Sequence, residues 1–369
     1  MTAASATAGP GRTSRRLRPE RVKEIILLGI IALTVVVFGS IVDGYLSGRF
    51  FNRVTTSVVI VAILAAAQAL VIISRNIDLS LGSIVGVSAY LTGDFLAANT
   101  SAGPVLATAV AMLVGAILGS INGLLVAYAG VPAIIVTLGT LAGFRTLLSM
   151  YSGGANNTAG SLPEWVLEFN QVTLFTIGGF DIRMVFIVAL AVVLVLQWTL
   201  GKLRWGRRLY AIGSNPDAAN QAGLPAKRLV LGSFVASGAL AGLAGLMFMA
   251  RAGTISSTAG SGLELEAVAA AVVGGVSILG GSGTMMGALL GAVLIDTLKL
   301  SLVRVPEVSE FWRDAFLGVL ILGAVILDTT LQRRFTRRWA AEGRQFSGAA
   351  PAPGPEGGAG IAGEGSADG

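Results

Sequence analysis

Apolar residues in this chain fall into ten runs, each close to the length a helix needs to cross a bilayer. They lie at about 25–42, 54–73, 83–98, 104–128, 132–150, 185–200, 229–250, 265–279, 284–302 and 314–328, against roughly 17–25 residues for a transmembrane helix. Composition agrees with that reading. Of 369 residues 54% are hydrophobic and 12% charged, and the mean hydropathy is +0.77, where soluble domains carry about 25% charged residues. Lipid offers backbone groups no partners, so runs of this length must bond internally as helices. The expectation is an all-α polytopic membrane protein with about ten transmembrane helices.

The formal net charge of +6 reports topology. Arg12, Arg15, Arg16, Arg18, Arg21 and Lys23 precede the first run; Lys202, Arg204, Arg207, Arg208, Lys227 and Arg228 follow the sixth; Arg333, Arg334, Arg337, Arg338 and Arg344 follow the tenth. An even number of spans returns the chain to its starting side, and so does the sixth span, so all three clusters share one face. The positive-inside rule makes that face cytoplasmic, with both termini on it. No nucleic-acid partner is implied. The first run has no small-residue cleavage site after it and reads as an uncleaved span. The domain division is a basic cytoplasmic N-terminus over 1–24, a transmembrane body over 25–330 containing the cytoplasmic loop 201–228, and a tail over 331–369. That tail is rich in Gly, Ala and Pro and is expected to be largely disordered.

Zero Cys and zero His exclude thiolate zinc sites, iron–sulfur clusters and cysteine nucleophiles, and remove the commonest metal ligand and proton shuttle. No catalytic set and no metal site are read, and the chain is not expected to be an enzyme. Nowhere does Gly-x-x-x-x-Gly-Lys-Ser/Thr occur, so no P-loop is present and any ATP hydrolysis must come from another subunit.

The 50 glycines are about twice the average usage. Gly115, Gly119 and Gly123 in the fourth run, and Gly283, Gly287 and Gly291 in the ninth, recur at four-residue spacing, the pattern that lets membrane helices approach closely. Partnering these two runs would relate spans 2–5 to spans 7–10 as a possible inverted repeat, a common transporter plan. Composition alone also produces such spacings.

Two polar stretches interrupt the apolar pattern. Around Asn76, Asp78 and Ser80 the break is either a tight cytoplasmic turn or a lining of the translocation path; Asp78 and Ser80 are good N-caps in both cases. On the opposite side, Ser261 and Glu264 have capping-box spacing at a Gly-rich loop where a solute would enter, which makes Glu264 a path candidate as well. Thr137, Thr140 and Arg145 in the fifth run are further path candidates, Arg145 either snorkelling to the headgroups or donating to a hydroxylated solute. Asp296 and Lys299 are spaced to pair on one helix face.

The loop between the sixth and seventh spans holds a punctuated short helix. Asn215 stands at the N-cap, Pro216 at the first position, Asp217 in the first turn and Gly223 past the end. Two turns are marginal alone, so something should pack on them. With Ala218, Ala219 and Gly223, the stretch resembles the Glu-Ala-Ala-x-x-x-Gly loop by which ABC importer permeases dock their ATPase.

Over about 25–330 the chain resembles the permease family of bacterial ABC importers for ribose, xylose, rhamnose and related monosaccharides, including autoinducer-2 importers. The motifs are Asn76-Ile77-Asp78-Leu79-Ser80-Leu81-Gly82-Ser83, Val131-Pro132-Ala133 with Thr137-Leu138-Gly139-Thr140 and Arg145, Tyr210 to Gly223, and Gly260-Ser261-Gly262-Leu263-Glu264-Leu265 leading into Gly274 to Gly283. Their wording is nearest to the rhamnose and autoinducer-2 branches. The resemblance implies a bacterial inner-membrane location, a second permease subunit (the same chain or a homologue), a cytoplasmic ATPase that binds ATP and Mg, and an extracytoplasmic solute-binding protein. No cofactor is implied in this chain. For Asp217, Ala218, Ala219 and Gly223 it implies ATPase coupling. The alternative is an ion-coupled secondary transporter using Asp78 or Asp296.

Overall fold

The computed structural model describes residues 19–156 and 162–305, together with 312, 315, 318, 319, 322, 323 and 326. Among the described residues eight helices are long and apolar enough to cross a membrane. In chain order the first elements are α1 (Pro19–Ile41), α2 (Gly48–Ile73), α3 (Leu81–Ala98), α4 (Pro104–Ala127), α5 (Ala133–Ser152) and the short α6 (Glu164–Phe169). A two-stranded antiparallel hairpin, β1 (Thr173–Ile177) and β2 (Phe180–Arg183), follows. The chain then continues through α7 (Met184–Lys202), α8 (Arg204–Ser214), α9 (Pro216–Gln221), α10 (Ala226–Ala252), α11 (Leu263–Val273) and α12 (Met285–Leu302). The hairpin was not anticipated from the apolar pattern.

α2 is the hub. It is buried along nearly its whole length and packs against α7, α10, α11 and α12, which is why its sequence is apolar on every side. α1, by contrast, exposes Ile25, Leu28, Leu33 and Val36, a surface suited to lipid tails. α2 begins six residues before its apolar run because the helix continues through Arg49, Asn52 and Arg53.

The glycine ladders have unequal roles. Along the seam of α4 with α10, a Cβ on Gly115 or Gly119 would fall on the carbonyl oxygen of Gly238 or Phe234, and one on Gly123 would meet Leu231 and Phe234. These two helices touch backbone to backbone. In the second ladder, Gly287 and Gly291 face the carbonyls of Gly274 and Ala270 beside α11. Gly283 is not part of that face: it precedes the Thr284 N-cap, at φ 138°. The order long helix, break, shorter helix, glycine-laddered helix occurs twice, as α2–α3–α4 and α10–α11–α12.

The run at 265–279 is not a complete transmembrane helix. α11 has 11 residues, roughly 16 Å at about 1.5 Å per residue, about half the hydrocarbon thickness. Gly275, Gly280 and Gly281 adopt positive φ, which ends the helix although the stretch remains apolar. The segment 253–262 that precedes α11 is irregular, with turns over 257–262. Of the tenth run, 314–328, only scattered residues are described; residues 1–18 and the tail from 331 lie outside the described residues.

Candidate functional site

Both breaks converge on the first half of α3. After Ile73 the chain turns at Arg75, whose φ is 68°, and re-enters the bundle beside α2. Arg75 is exposed, while Asp78 and Ser80 are fully buried, so the stretch is at once a turn at its start and interior polar backbone at its end. Gln68 on α2, with its amide oriented to satisfy both groups, donates to the Asp78 carbonyl at 3.0 Å and accepts from the Asp78 N–H at 3.2 Å. Thr137 on α5 donates to the Ile77 carbonyl at 3.3 Å. Interior polar backbone needs such partners.

Asp78 behaves as an N-terminal acceptor: its Oδ1 receives the Ser80 N–H at 2.9 Å and the Ser80 hydroxyl at 2.6 Å. Ser80 occupies the N-cap position of α3 but caps no N–H with its side chain. Its hydroxyl is taken up by Asp78 and by Asn122 on α4, which donates from Nδ2 at 2.7 Å. Asn76 turns back on Ser74, donating to its carbonyl at 2.9 Å. Thr140 bonds only to its own helix, at the Thr137 carbonyl, 3.4 Å.

The second break meets the same region from the other end. Gly260 and Glu264 lie against Gly82, and the Ala259 carbonyl against Gly86. No side chain larger than hydrogen fits at either α3 position without displacing backbone. Arg145 donates from Nη1 to the Ala259 carbonyl at 2.9 Å, so it braces this segment within the protein. The N-cap of α11 is Gly262, not Ser261; the Ser261 hydroxyl bonds to the Thr258 carbonyl, while Glu264 Oε1 does reach back, to the Gly262 N–H at 3.2 Å. Asp78 Oδ2, Asn122 Oδ1 and Glu264 Oε2 are buried acceptors without a partner among the described residues.

Asp296 and Lys299 do not serve chiefly as each other's partner. Lys299 pairs with Glu266 of α11 at 2.6 Å, and Asp296 accepts from the Ser57 hydroxyl. A cavity of about 210 Å³ lies among them, with Arg251 also in its lining.

α8 and α9 carry the coupling candidates. Asn215 caps α9 by accepting the Ala218 N–H at 3.0 Å, Pro216 opens it, and Gly223 ends it at φ 69°. Ala219 is buried in the chain's own core, whereas Asp217, Ala218 and Gly223 are exposed. The short helix is therefore anchored through Ala219 and presents the remainder outward. A groove of about 480 Å³ lined by Tyr128, Asn220, Leu224 and Lys227 adjoins it. α8 also touches the first break and the glycine loop between α11 and α12: Gly213 abuts the Ile73 carbonyl and the Gly281 N–H, which bond to each other at 3.0 Å, and Tyr210 donates to the Gly283 carbonyl at 2.7 Å.

Two buried residues at this site, Gln68 and Asn122, were missed from sequence. Each is a carboxamide inside an otherwise apolar run, and that isolation was the available signal.

Residues 50–325 match the model of a family described as branched-chain amino acid transport system / permease component. The chain is 37% identical over 309 residues, covering 83% of this chain and 84% of the relative, to the Autoinducer 2 import system permease protein LsrC of Yersinia pestis (strain Pestoides F). It is 36% identical over 308 residues, with the same coverage, to the protein of that name from Yersinia pseudotuberculosis serotype O:1b (strain IP 31758). No solved structure matches the chain.

Proposed function

The chain belongs to the branched-chain amino acid transport system / permease component family, and from that premise we propose that it carries a sugar-like solute of the autoinducer-2 or rhamnose type, driven by a separate ATPase. It is a multi-pass protein of the bacterial inner membrane and a permease subunit of an ABC importer. The relatives' name, with its mention of autoinducer 2, supports the substrate class.

Transport of this kind needs two packings of similar energy, favoured differently by ATP and by the loaded binding protein. The observation that carries the proposal is the placement of α8. It stands between the exposed residues Asp217 and Ala218 of α9 and two segments of the bundle, touching Ile73 at the first break and Gly281 in the loop between α11 and α12. A displacement of α8–α9 by a docked ATPase would reach the segment that leads into α3 through Ile73 and the loop between α11 and α12 through Gly281. The buried acceptors of Asp78, Asn122 and Glu264 are suited to the hydroxyl donors of a neutral solute. The partners in this reading are an ATPase holding ATP and Mg, an extracytoplasmic binding protein and a second permease subunit.

The test is recovery of the ATPase with the tagged chain in mild detergent, comparing wild type with Ala218→Glu. Ala218 is exposed and Ala219 is not, so the substitution alters the docking face and leaves the core intact. Recovery by wild type and loss in the variant, at equal thermal stability, supports coupling at α9. Equal recovery by both would place the docking surface elsewhere.

A further inference from the structure

At the end of the bundle opposite α8, four arginines line one pocket of about 380 Å³: Arg49 and Arg53 of α2, Arg183 at the end of β2, and Arg251 near the end of α10, with Asn52 and Asn170 between them. We propose that this pocket binds the phosphate of an anionic phospholipid headgroup. The label of this end as the outer face, and with it the third feature below, rests on the importer reading's orientation; the pocket itself is set by packing.

Three independent features call for an anion here. First, no carboxylate lines the pocket, and none of the four arginines forms an ion pair among the described residues; Arg251 also borders the cavity that holds Asp296 and Glu266, so the cations with no acidic side chain beside them in a cavity are Arg49, Arg53 and Arg183. The nearby Asp181 is engaged by Asn52 Nδ2 at 2.8 Å and by the Thr176 hydroxyl at 2.7 Å. Arg183 Nε is buried without a partner, while its Nη1 reaches the Asn170 carbonyl at 3.4 Å.

Second, three of the four cations stand at the wrong ends of helices. Arg49 and Arg53 lie in the opening turns of α2, and Arg183 is the N-cap of α7; neither helix has an acidic residue in its first turn or a side-chain cap. The N-terminus of a helix carries partial positive charge and free N–H groups, which repel cations and attract anions. An oxyanion between the two helix ends satisfies both the dipoles and the arginine forks, whose geometry matches phosphate.

Third, arginines gathered at this end run against the positive-inside rule, so the cluster needs a reason of its own. The neighbouring strand supplies the choice of ligand. Leu174, Phe175 and Ile177 of β1, paired alongside β2, are exposed, as is Leu46 before α2. A basic pocket with an apolar rim, at the depth where the spans begin, fits a charged headgroup with acyl chains beside it.

The purified full chain, in mild detergent and without any ATPase, is mixed with phosphatidylglycerol or phosphatidylcholine and lipid retention is read by native mass spectrometry. The proposal expects phosphatidylglycerol to be retained about tenfold over phosphatidylcholine, and that preference to fall at least fivefold in the Arg53→Gln/Arg183→Gln double variant. The Arg53→Lys/Arg183→Lys variant keeps the charge without the fork, gives an intermediate preference, and decides the matter if the glutamine variant does not elute as a single species. Equal retention of the two lipids, or an unchanged preference in the variants, overturns the proposal. Thermal stabilisation by inorganic phosphate equal to that by phosphatidylglycerol would assign the pocket to a soluble anion and overturn the lipid source. Because no ATPase is present, none of these outcomes depends on whether α9 couples to one.

Discussion

Asn122 on α4 donates from Nδ2 to the Ser80 hydroxyl at 2.7 Å, and that single bond ties the glycine-laddered helix to the break that leads into α3. Ser80 in turn donates to Asp78 Oδ1 at 2.6 Å, so a movement of the α4–α10 pair is felt at Asp78. All three side chains are fully buried.

Replacing Asn122 by Leu removes the donor while leaving the Ser80–Asp78 bond. The expected cost is about 1–3 kcal/mol of stability, the range for a buried polar group losing its partner, read as a lowered thermal midpoint in detergent. Asn122→Asp sets a second carboxylate beside Asp78 and is expected to be worse. If the aspartate variant were as stable as the leucine one, the cluster would not be sensing charge.

At the α4–α10 seam the constraint is steric. A Cβ on Gly119 meets the Phe234 carbonyl and the backbone of Gly238, and neither can rotate away. Gly119→Ala is expected to destabilise by about 1–3 kcal/mol, as overpacking does, and Gly119→Leu to prevent accumulation of folded protein. Fluorescence size-exclusion profiles of the two variants check this; a normal monodisperse peak for Gly119→Leu would contradict the seam.

Lys299 and Glu266 form a partly buried ion pair between α12 and α11. Glu266→Gln leaves the ammonium without its carboxylate, and the expected loss is about 2–4 kcal/mol, somewhat below a fully buried pair because both groups retain some exposure. Lys299→Met added to Glu266→Gln should restore part of that stability, since the uncompensated charge is then gone. A double-mutant cycle by thermal unfolding measures the coupling, and strict additivity of the two changes would refute the pair's contribution.

How much of this was readable beforehand depended on whether a feature was local. The long helices follow from apolar runs alone, and α9 from Asn215, Pro216 and Gly223, because caps and helix breakers act within a turn. α11 was misread because Gly274 to Gly283 counts as apolar while its positive φ values end the helix. Lys299 could be placed on the same helix face as Asp296, but its partner, Glu266, is 33 residues away, and no local spacing encodes that. The breaks were visible as polarity. That Gly82 and Gly86 receive the second break was not, since it depends on two segments separated by the whole middle of the chain.

Tyr45, in the connection between α1 and α2, shares a hydrogen bond of 2.6 Å with the Ser301 hydroxyl. Burial raises the phenol's pKa above its usual value, with the Ser301 bond and Arg304 acting in the opposite direction. A raised acid favours the neutral form in the folded state, so its contribution is complete below about pH 10, the ordinary tyrosine value, and is lost as pH rises beyond it. Tyr45→Phe should therefore cost about 1 kcal/mol at neutral pH, and the gap between wild type and variant should narrow above about pH 10. Thermal midpoints measured across that range test the sign; a gap that widens with pH would reverse it.

The proposed relay from α8 to Ile73 and the Gly281 loop makes a separable prediction. Gly213 lies in a helix, where alanine is intrinsically better by about 1 kcal/mol, so Gly213→Ala strengthens α8 itself. Its new Cβ, however, would fall on the Ile73 carbonyl and the Gly281 N–H, prising α8 from the two segments it touches. The exposed face at Asp217 and Ala218 is unaltered by this change. The variant is expected to recover the ATPase as wild type does and to lose most uptake, because docking is kept while its transmission is broken. Uptake reconstituted in vesicles with the partner proteins, measured beside ATPase recovery, distinguishes the cases. Loss of both would mean that α8 and α9 are displaced together, and normal uptake would mean that the contact of Gly213 with Ile73 and Gly281 carries no motion.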